Sequence, residues 1–218
     1  MKLDLTDIPA IYINLDKDTE RRSGMEEMLR SCGFKRIIRS PGVPVPNDPL
    51  AGCAKAHEVA LGLIKPPFIV FEDDCKVKKF EPVIEIPEVT DAVYLGNSSW
   101  ARINGHSGPF LQFEPVGEGL YKVYNMLGAH SILYLSEEIV KYYRKAAESF
   151  GRMSQFHDIG FAQLQPYFNV LTFEMPMFYQ TSSKGTSEAL TSYKRTELRK
   201  PDRKYWLPET FMFNGTKF

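Results

Sequence analysis

Phe68-Ile69-Val70-Phe71-Glu72-Asp73-Asp74 sets four apolar residues, two aromatic and two β-branched, directly against three carboxylates. A short continuous apolar run of this kind marks a strand buried on both faces, as in sheets covered by helices on each side. Pro66 and Pro67 stop any helix that precedes it. The acids at its end repel one another unless something positive lies between them. A divalent cation is the simplest compensation, and all-oxygen ligands suit magnesium or manganese, which keep positions open for water and phosphate oxygens. In a chain that stays extended, Glu72 and Asp74 point to one side and Asp73 to the other. The same residues also read as a solvated acid cluster or a helix N-cap.

Outward from this run, strands and helices alternate. Residues 10–15 (AIYINL) are a β-branched and aromatic strand, after which Asp16 and Asp18 offer N-caps for a helix through Cys32. Its apolar face is Met25, Met28, Leu29 and Cys32, and Gly33 stops it. Residues 36–39 form a short strand, 41–49 (PGVPVPNDP) a loop, and 51–64 a second helix. On the other side, strands are predicted at 92–95, 129–135 and 170–173, with a hairpin of 110–115 and 120–124 around Gly117-Glu118-Gly119. Ser136 caps a helix whose Ile139, Val140, Tyr143, Ala146, Ala147 and Phe150 share a face, and a further helix covers 155–165. The pattern predicts an α/β fold: a mostly parallel central sheet with helices on both faces, plus a small antiparallel hairpin part. Ligands in such sheets sit at the carboxyl ends of the strands, which brings Asn14 and Asp16 to the same crevice as residues 72–74.

The 218 residues, 43% hydrophobic and 13% aromatic, are enough for one domain with a sizeable core. Lysine plus arginine equals aspartate plus glutamate at 27 each, which disfavours nucleic acid or an anionic bilayer as a general partner. No apolar run approaches the roughly 20 residues of a transmembrane segment, and acids occupy the place of a signal peptide's apolar stretch. A soluble, cytoplasmic protein is expected. Cys32, Cys53 and Cys75 are odd in number and lack close metal-ligand spacing, so they read as thiols in a reducing compartment.

AIYINLDKDTERR (10–22), GCAKAH (52–57), FIVFEDD (68–74) and DAVYLG (91–96) occur in the order seen in glycosyltransferase family 25. Over about residues 8–180 the chain resembles that group of lipopolysaccharide-biosynthesis and procollagen galactosyltransferases. The resemblance implies a GT-A fold with a D-x-D-type motif in which Glu72 and Asp74 bind Mn2+ or Mg2+ and Asp73 faces the donor. It implies hexose transfer from a UDP-sugar, UDP-glucose or UDP-galactose, to a glycan or glycoprotein acceptor. Residues 1–96 would be the nucleotide-binding half, 97–180 the acceptor side and 181–218 a polar loop or tail, in a chain that could be one domain of a longer polypeptide. Lys55-Ala56-His57 departs from the family pattern, in which a serine commonly precedes the histidine.

Individual residues carry paired readings. Asn14 would hydrogen-bond a base or ribose, and Arg22 would reach base or diphosphate, with Arg21 held on the helix surface by Asp16 or Glu26. His57 shares a helical face with Cys53, Ala60 and Ile64, so it reads as a buried structural histidine, while the resemblance places it near the donor pocket; it is not read as a metal ligand. Asp158 would be the base that takes the acceptor hydroxyl proton, with His157 in reserve, or it favours a helix N-terminus. Lys184, in QTSSKGTS (180–187), would offset the donor diphosphate or lie in an ordinary surface loop. One rival is a sugar-nucleotide pyrophosphorylase, which needs a glycine-rich phosphate loop where this chain has Asn14-Leu15-Asp16-Lys17-Asp18. Another is a non-catalytic nucleotide-sugar or glycan-binding module, with Trp100, Tyr121, Tyr124 and Trp206 available for stacking on sugars.

Overall fold

Residues 68–72 form an inner strand of an eight-stranded sheet, and the computed structural model describes residues 1–198 around it. The strands are β1 (Lys2–Asp4), β2 (Ala10–Asn14), β3 (Ile37–Pro41), β4 (Phe68–Glu72), β5 (Cys75–Val77), β6 (Val83–Glu85) and β7 (Ala92–Tyr94). They continue with β8 (Ala101–Ile103), β9 (His106–Gly108), β10 (Phe113–Gly117), β11 (Leu120–Val123), β12 (Ser131–Tyr134), β13 (Val170–Phe173) and β14 (Phe178–Gln180). The helices are α1 (Thr19–Ser31), α2 (Pro49–Ala60), α3 (Glu137–Arg152) and α4 (His157–Leu164).

The main sheet runs β10-β11-β13-β7-β12-β4-β2-β3. Pairings β2–β3, β2–β4 and β7–β13 are parallel; the other four are antiparallel, because β11 and β12 run against the remaining strands. The sheet is therefore mixed rather than mostly parallel in its pairings. Apolar periodicity reports which faces are buried, and a run buried on both faces such as Ser131–Tyr134 is compatible with either direction.

One apolar layer joins Met25, Met28 and Leu29 of α1 to Tyr12, Ile69, Phe71, Val93 and Leu133 of the sheet. The opposite layer joins α2, α3 and α4, through Ala60, Tyr143, Phe150 and Phe161, to Ile11, Val70, Tyr94 and Ile132. Alternate residues of β4 thus enter different layers, and each such side chain contributes about 1.5–3 kcal/mol through burial. Helices cover both faces, as the continuous run at 68–71 requires.

Local signals explain most boundaries. Ser136 Oγ accepts the Ile139 N–H (3.3 Å) to start α3, and Asp48 Oδ1 accepts the Ala51 N–H (2.9 Å) to start α2. Asp18 occupies the N-cap of α1 but makes no side-chain cap, and Asp16 is turned to Arg39 instead. At α4 the start falls on His157 rather than residue 155, because Ser154 takes a left-handed conformation (φ 52°) that closes the preceding turn. Gly52 lets α2 pack on the 43–45 loop: a Cβ there would lie 2.4 Å from the Val43 carbonyl oxygen. Among the described residues no helix is long and apolar enough to cross a membrane.

Candidate functional site

β2 and β4 are parallel neighbours, so Asn14 and Glu72 end at the same edge of the sheet. The reversed β12 brings its start to that edge, where the His130 carbonyl accepts the Glu72 N–H at 3.0 Å. Gly96, just beyond β7, faces His130 so closely that a Cβ would lie 2.0 Å from Nε2. These strand ends converge because of the sheet order.

The acid triplet does not stay extended. β4 ends at Glu72, and Asp73 and Asp74 form the turn into β5, so the rule that alternate residues share a side stops applying there. Each carboxylate has its own partners. Glu72 Oε1 meets His57 Nε2 at 3.0 Å, and its Oε2 accepts from Gln180 Nε2 at 2.7 Å. Asp73 accepts from Asn14 Nδ2 (2.7 Å) and from Arg21 (3.0 Å). Asp74 Oδ2 accepts from Ser182 Oγ, while its buried Oδ1 has no hydrogen-bond partner among the described residues.

Asn14 is 1% exposed, and its side-chain amide is spent on the Asp73 carboxylate and the Asp18 carbonyl, with Arg39 on its oxygen. Its side chain thereby ties the end of β2 to the triplet. The surface pairing with Glu26 that was expected for Arg21 is made by Arg22. Arg22 pairs with Glu26, its i+4 neighbour, at 3.2 Å, and Arg21, 100° round the helix, reaches Asp73. Lys184 lies exposed in its loop. That loop is tied down by Gln180 on Glu72, by the Thr181 N–H and hydroxyl on the Asp74 carbonyl, and by Ser182 on the Asp74 carboxylate. Residues 180–186 therefore close on the triplet.

The His57 and His157 rings lie against each other at a tilt of 32°, with centroids 4.0 Å apart, and Cys53 Sγ lies 4.0 Å from His157 Nδ1. Cys53, His57, Glu72 and His157 place one potential ligand atom each within 4.8 Å of the others, a group that can hold a divalent metal ion. Asp73 and Asp74 are outside it. Sequence reasoning missed this group, although Cys53 and His57 stand at the i, i+4 spacing that puts two donors on one helical face. It also missed Gln180 as a partner of Glu72, and Arg39.

Burial shapes the electrostatics. Desolvation, then the neighbouring charge of Asp74, raises Glu72 to about 7, opposed by His130. Desolvation lowers His57 to about 3 and takes His157 well below the usual range, with His57 adding to the effect. Cys53 is exposed as a residue, yet its sulfur turns toward His157, and desolvation followed by the Glu72 charge pushes its thiol up. Asp158 is partly exposed, with Oδ2 turned inward to accept the Gly128 N–H at 2.8 Å; desolvation raises its carboxyl to about 6. Its place at the start of α4 accommodates both readings of this residue. Of the aromatic residues, Trp100 is 50% exposed, Tyr121 donates to Glu174 and Tyr124 to Glu114. Trp206 lies outside the described residues.

No family model matches the chain. No curated protein matches it either. The CTP:phosphocholine cytidylyltransferase of Streptococcus pneumoniae is similar in structure, with a TM-score of 0.43 and 9% identity over 82% of this chain and 95% of its own. Likeness of that degree identifies neither family nor chemistry, so the resemblance to glycosyltransferase family 25 rests on the motifs at 10–22, 52–57, 68–74 and 91–96.

Proposed function

We propose that this chain binds a nucleotide-activated sugar across the carboxyl ends of β2 and β4, and that as an enzyme it transfers the hexose of a UDP-sugar to a hydroxyl acceptor. The observation that carries this reading is the convergence of three elements on the acid triplet: Asn14 from the first strand, Arg21 from the first helix and the 180–186 loop. The motif order and the reversed strand between β4 and β7 support a GT-A type of sheet.

The residues present fit a divalent cation at Asp74 and Glu72. Asp74 Oδ1 is buried without a hydrogen-bond partner among the described residues, and an oxygen-rich pair suits Mn2+ or Mg2+. A bound cation would supply Lewis-acid stabilisation of the departing diphosphate. Asn14 and Arg21 hold Asp73 at the rim of the crevice, and Gln180 and Ser182 draw the loop over it. Asp158 takes the acceptor hydroxyl proton as the new bond to the anomeric carbon forms and the bond to the diphosphate oxygen breaks, releasing UDP.

One observation favours the second reading, a binding module without turnover. All three carboxylates already have protein partners: His57 and Gln180 on Glu72, Asn14 and Arg21 on Asp73, and Ser182 on Asp74. A catalytic cation must displace or share them. Nucleotidyl transfer is weaker, because Asn14-Leu15-Asp16-Lys17-Asp18 contains no glycine to cradle phosphate.

The deciding experiment incubates the chain with UDP-glucose or UDP-galactose, Mn2+ and a mixed set of glycan acceptors, and measures free UDP and glycosylated product. Metal-dependent release of UDP with product supports transfer. Binding of the donor without release leaves the module reading, and absence of both binding and release removes the proposal.

A further inference from the structure

Glu72 of the acid triplet also belongs to a group of side chains whose chemistry differs from that of the triplet. Cys53 and His57 stand one turn apart on α2, His157 opens α4 and Glu72 ends β4, so three separate elements deliver the four donors. Their ligand atoms all lie within 4.8 Å of one another. Tetrahedral zinc, with bonds of about 2.0–2.3 Å, holds its ligand atoms about 3.5 Å apart, so modest side-chain adjustment closes the group.

A second observation points to a ligand. His57 and His157 are 1% and 5% exposed, and each turns a ring nitrogen to another donor of the group, His57 Nε2 to Glu72 Oε1 at 3.0 Å and His157 Nδ1 to Cys53 Sγ at 4.0 Å. The far nitrogens, His57 Nδ1 and His157 Nε2, have no hydrogen-bond partner among the described residues, so no competing bond holds either ring away from the group.

We propose that Cys53, His57, Glu72 and His157 bind a zinc ion. One thiolate, two imidazoles and a carboxylate make a softer set than magnesium or manganese prefers, and the set matches zinc in both number and type. The exposed Cys53 gives the ion a route in from solvent, and binding releases the thiol proton to water. Glu72 faces both ways, Oε1 toward His57 and Oε2 toward Gln180, so the ion would fix the carboxylate that closes the floor of the crevice. This assignment does not rest on glycosyl transfer.

The test strips the purified chain with chelator and titrates it with Co2+, then with Zn2+. The proposal predicts the intense visible bands of tetrahedral cobalt and a thiolate-to-cobalt charge-transfer band, both saturating at a single equivalent and both displaced by zinc. Cys53→Ser should abolish the charge-transfer band, and His157→Gln should weaken cobalt binding by at least about tenfold. In the unmodified chain, Zn2+ should slow alkylation of Cys53 and leave that of Cys32 unchanged, a readout that needs no variant. A charge-transfer band that survives in Cys53→Ser, weak octahedral-type cobalt spectra, or alkylation of Cys53 indifferent to zinc would each overturn it. Asp74→Asn should keep the cobalt bands, so failure of this site and failure of the donor site are separately visible.

Discussion

Replacing Asn14 by alanine removes the residue that ties the end of β2 to the acid triplet. The lost bonds are a 2.7 Å contact to the Asp73 carboxylate, a 3.0 Å contact to the Asp18 carbonyl and the 3.3 Å contact from Arg39, all at a position 1% exposed. A hydrogen bond to a charged group contributes about 1.5–3 kcal/mol and each neutral or longer one about 0.5–1.5, so Asn14→Ala should cost about 2.5–6 kcal/mol. Asp73→Ala should cost less, because the Arg21 partner is 54% exposed and screened, and because repulsion with Glu72 and Asp74 is relieved. The decisive quantity is the coupling between the two. Urea denaturation of wild type, both single variants and the double variant should give an interaction energy of about 1.5–3 kcal/mol. Additivity within about 0.5 kcal/mol would refute the claim that Asn14 is a clamp on Asp73. A variant that keeps its stability but loses donor affinity would instead restore Asn14 as a nucleotide contact.

Three further outcomes follow from the same geometry. Gly96→Ala pushes a Cβ to 2.0 Å from the buried His130 ring, and the urea midpoint should fall by an amount equivalent to about 1–3 kcal/mol; an unchanged midpoint would mean the ring moves freely. Asp74→Asn removes one of three clustered charges, so the metal-free protein should melt at or above the wild-type temperature while manganese-dependent stabilisation by donor disappears; unfolding of the metal-free variant would make Asp74 a structural cap. Asp158→Asn should lower turnover by about 10²–10⁴-fold with donor affinity nearly unchanged, as measured by product formation and calorimetry; near-normal turnover would leave Asp158 only its bond from the Gly128 amide.

Residues 68–71 were readable because a strand buried on both faces needs apolar side chains without interruption, and those four enter both layers of the core. The α3 boundary was readable for a similarly local reason, the Ser136 cap. What escaped depends on contacts between distant segments or on a single residue of phase. Arg21 and Arg22 differ by one step of the helix, and only the sheet decides which of them faces Asp73. His157 reaches Cys53 across 104 residues and Gln180 reaches Glu72 across 108, and nothing local to either segment announces the meeting. The acid triplet itself was legible as a cluster, whereas its partition among three sets of partners follows from the turn at 73–74.

Calorimetric titration of the metal-loaded chain with UDP-glucose and UDP-galactose, against the guanosine counterparts and with manganese omitted in parallel, tests the donor site most directly. The account predicts saturable binding of a uridine donor that weakens sharply without manganese or with Asp74→Asn, and weaker binding of guanosine donors. Equal affinity for both bases, or uridine-donor binding indifferent to manganese and to Asp74, would contradict it.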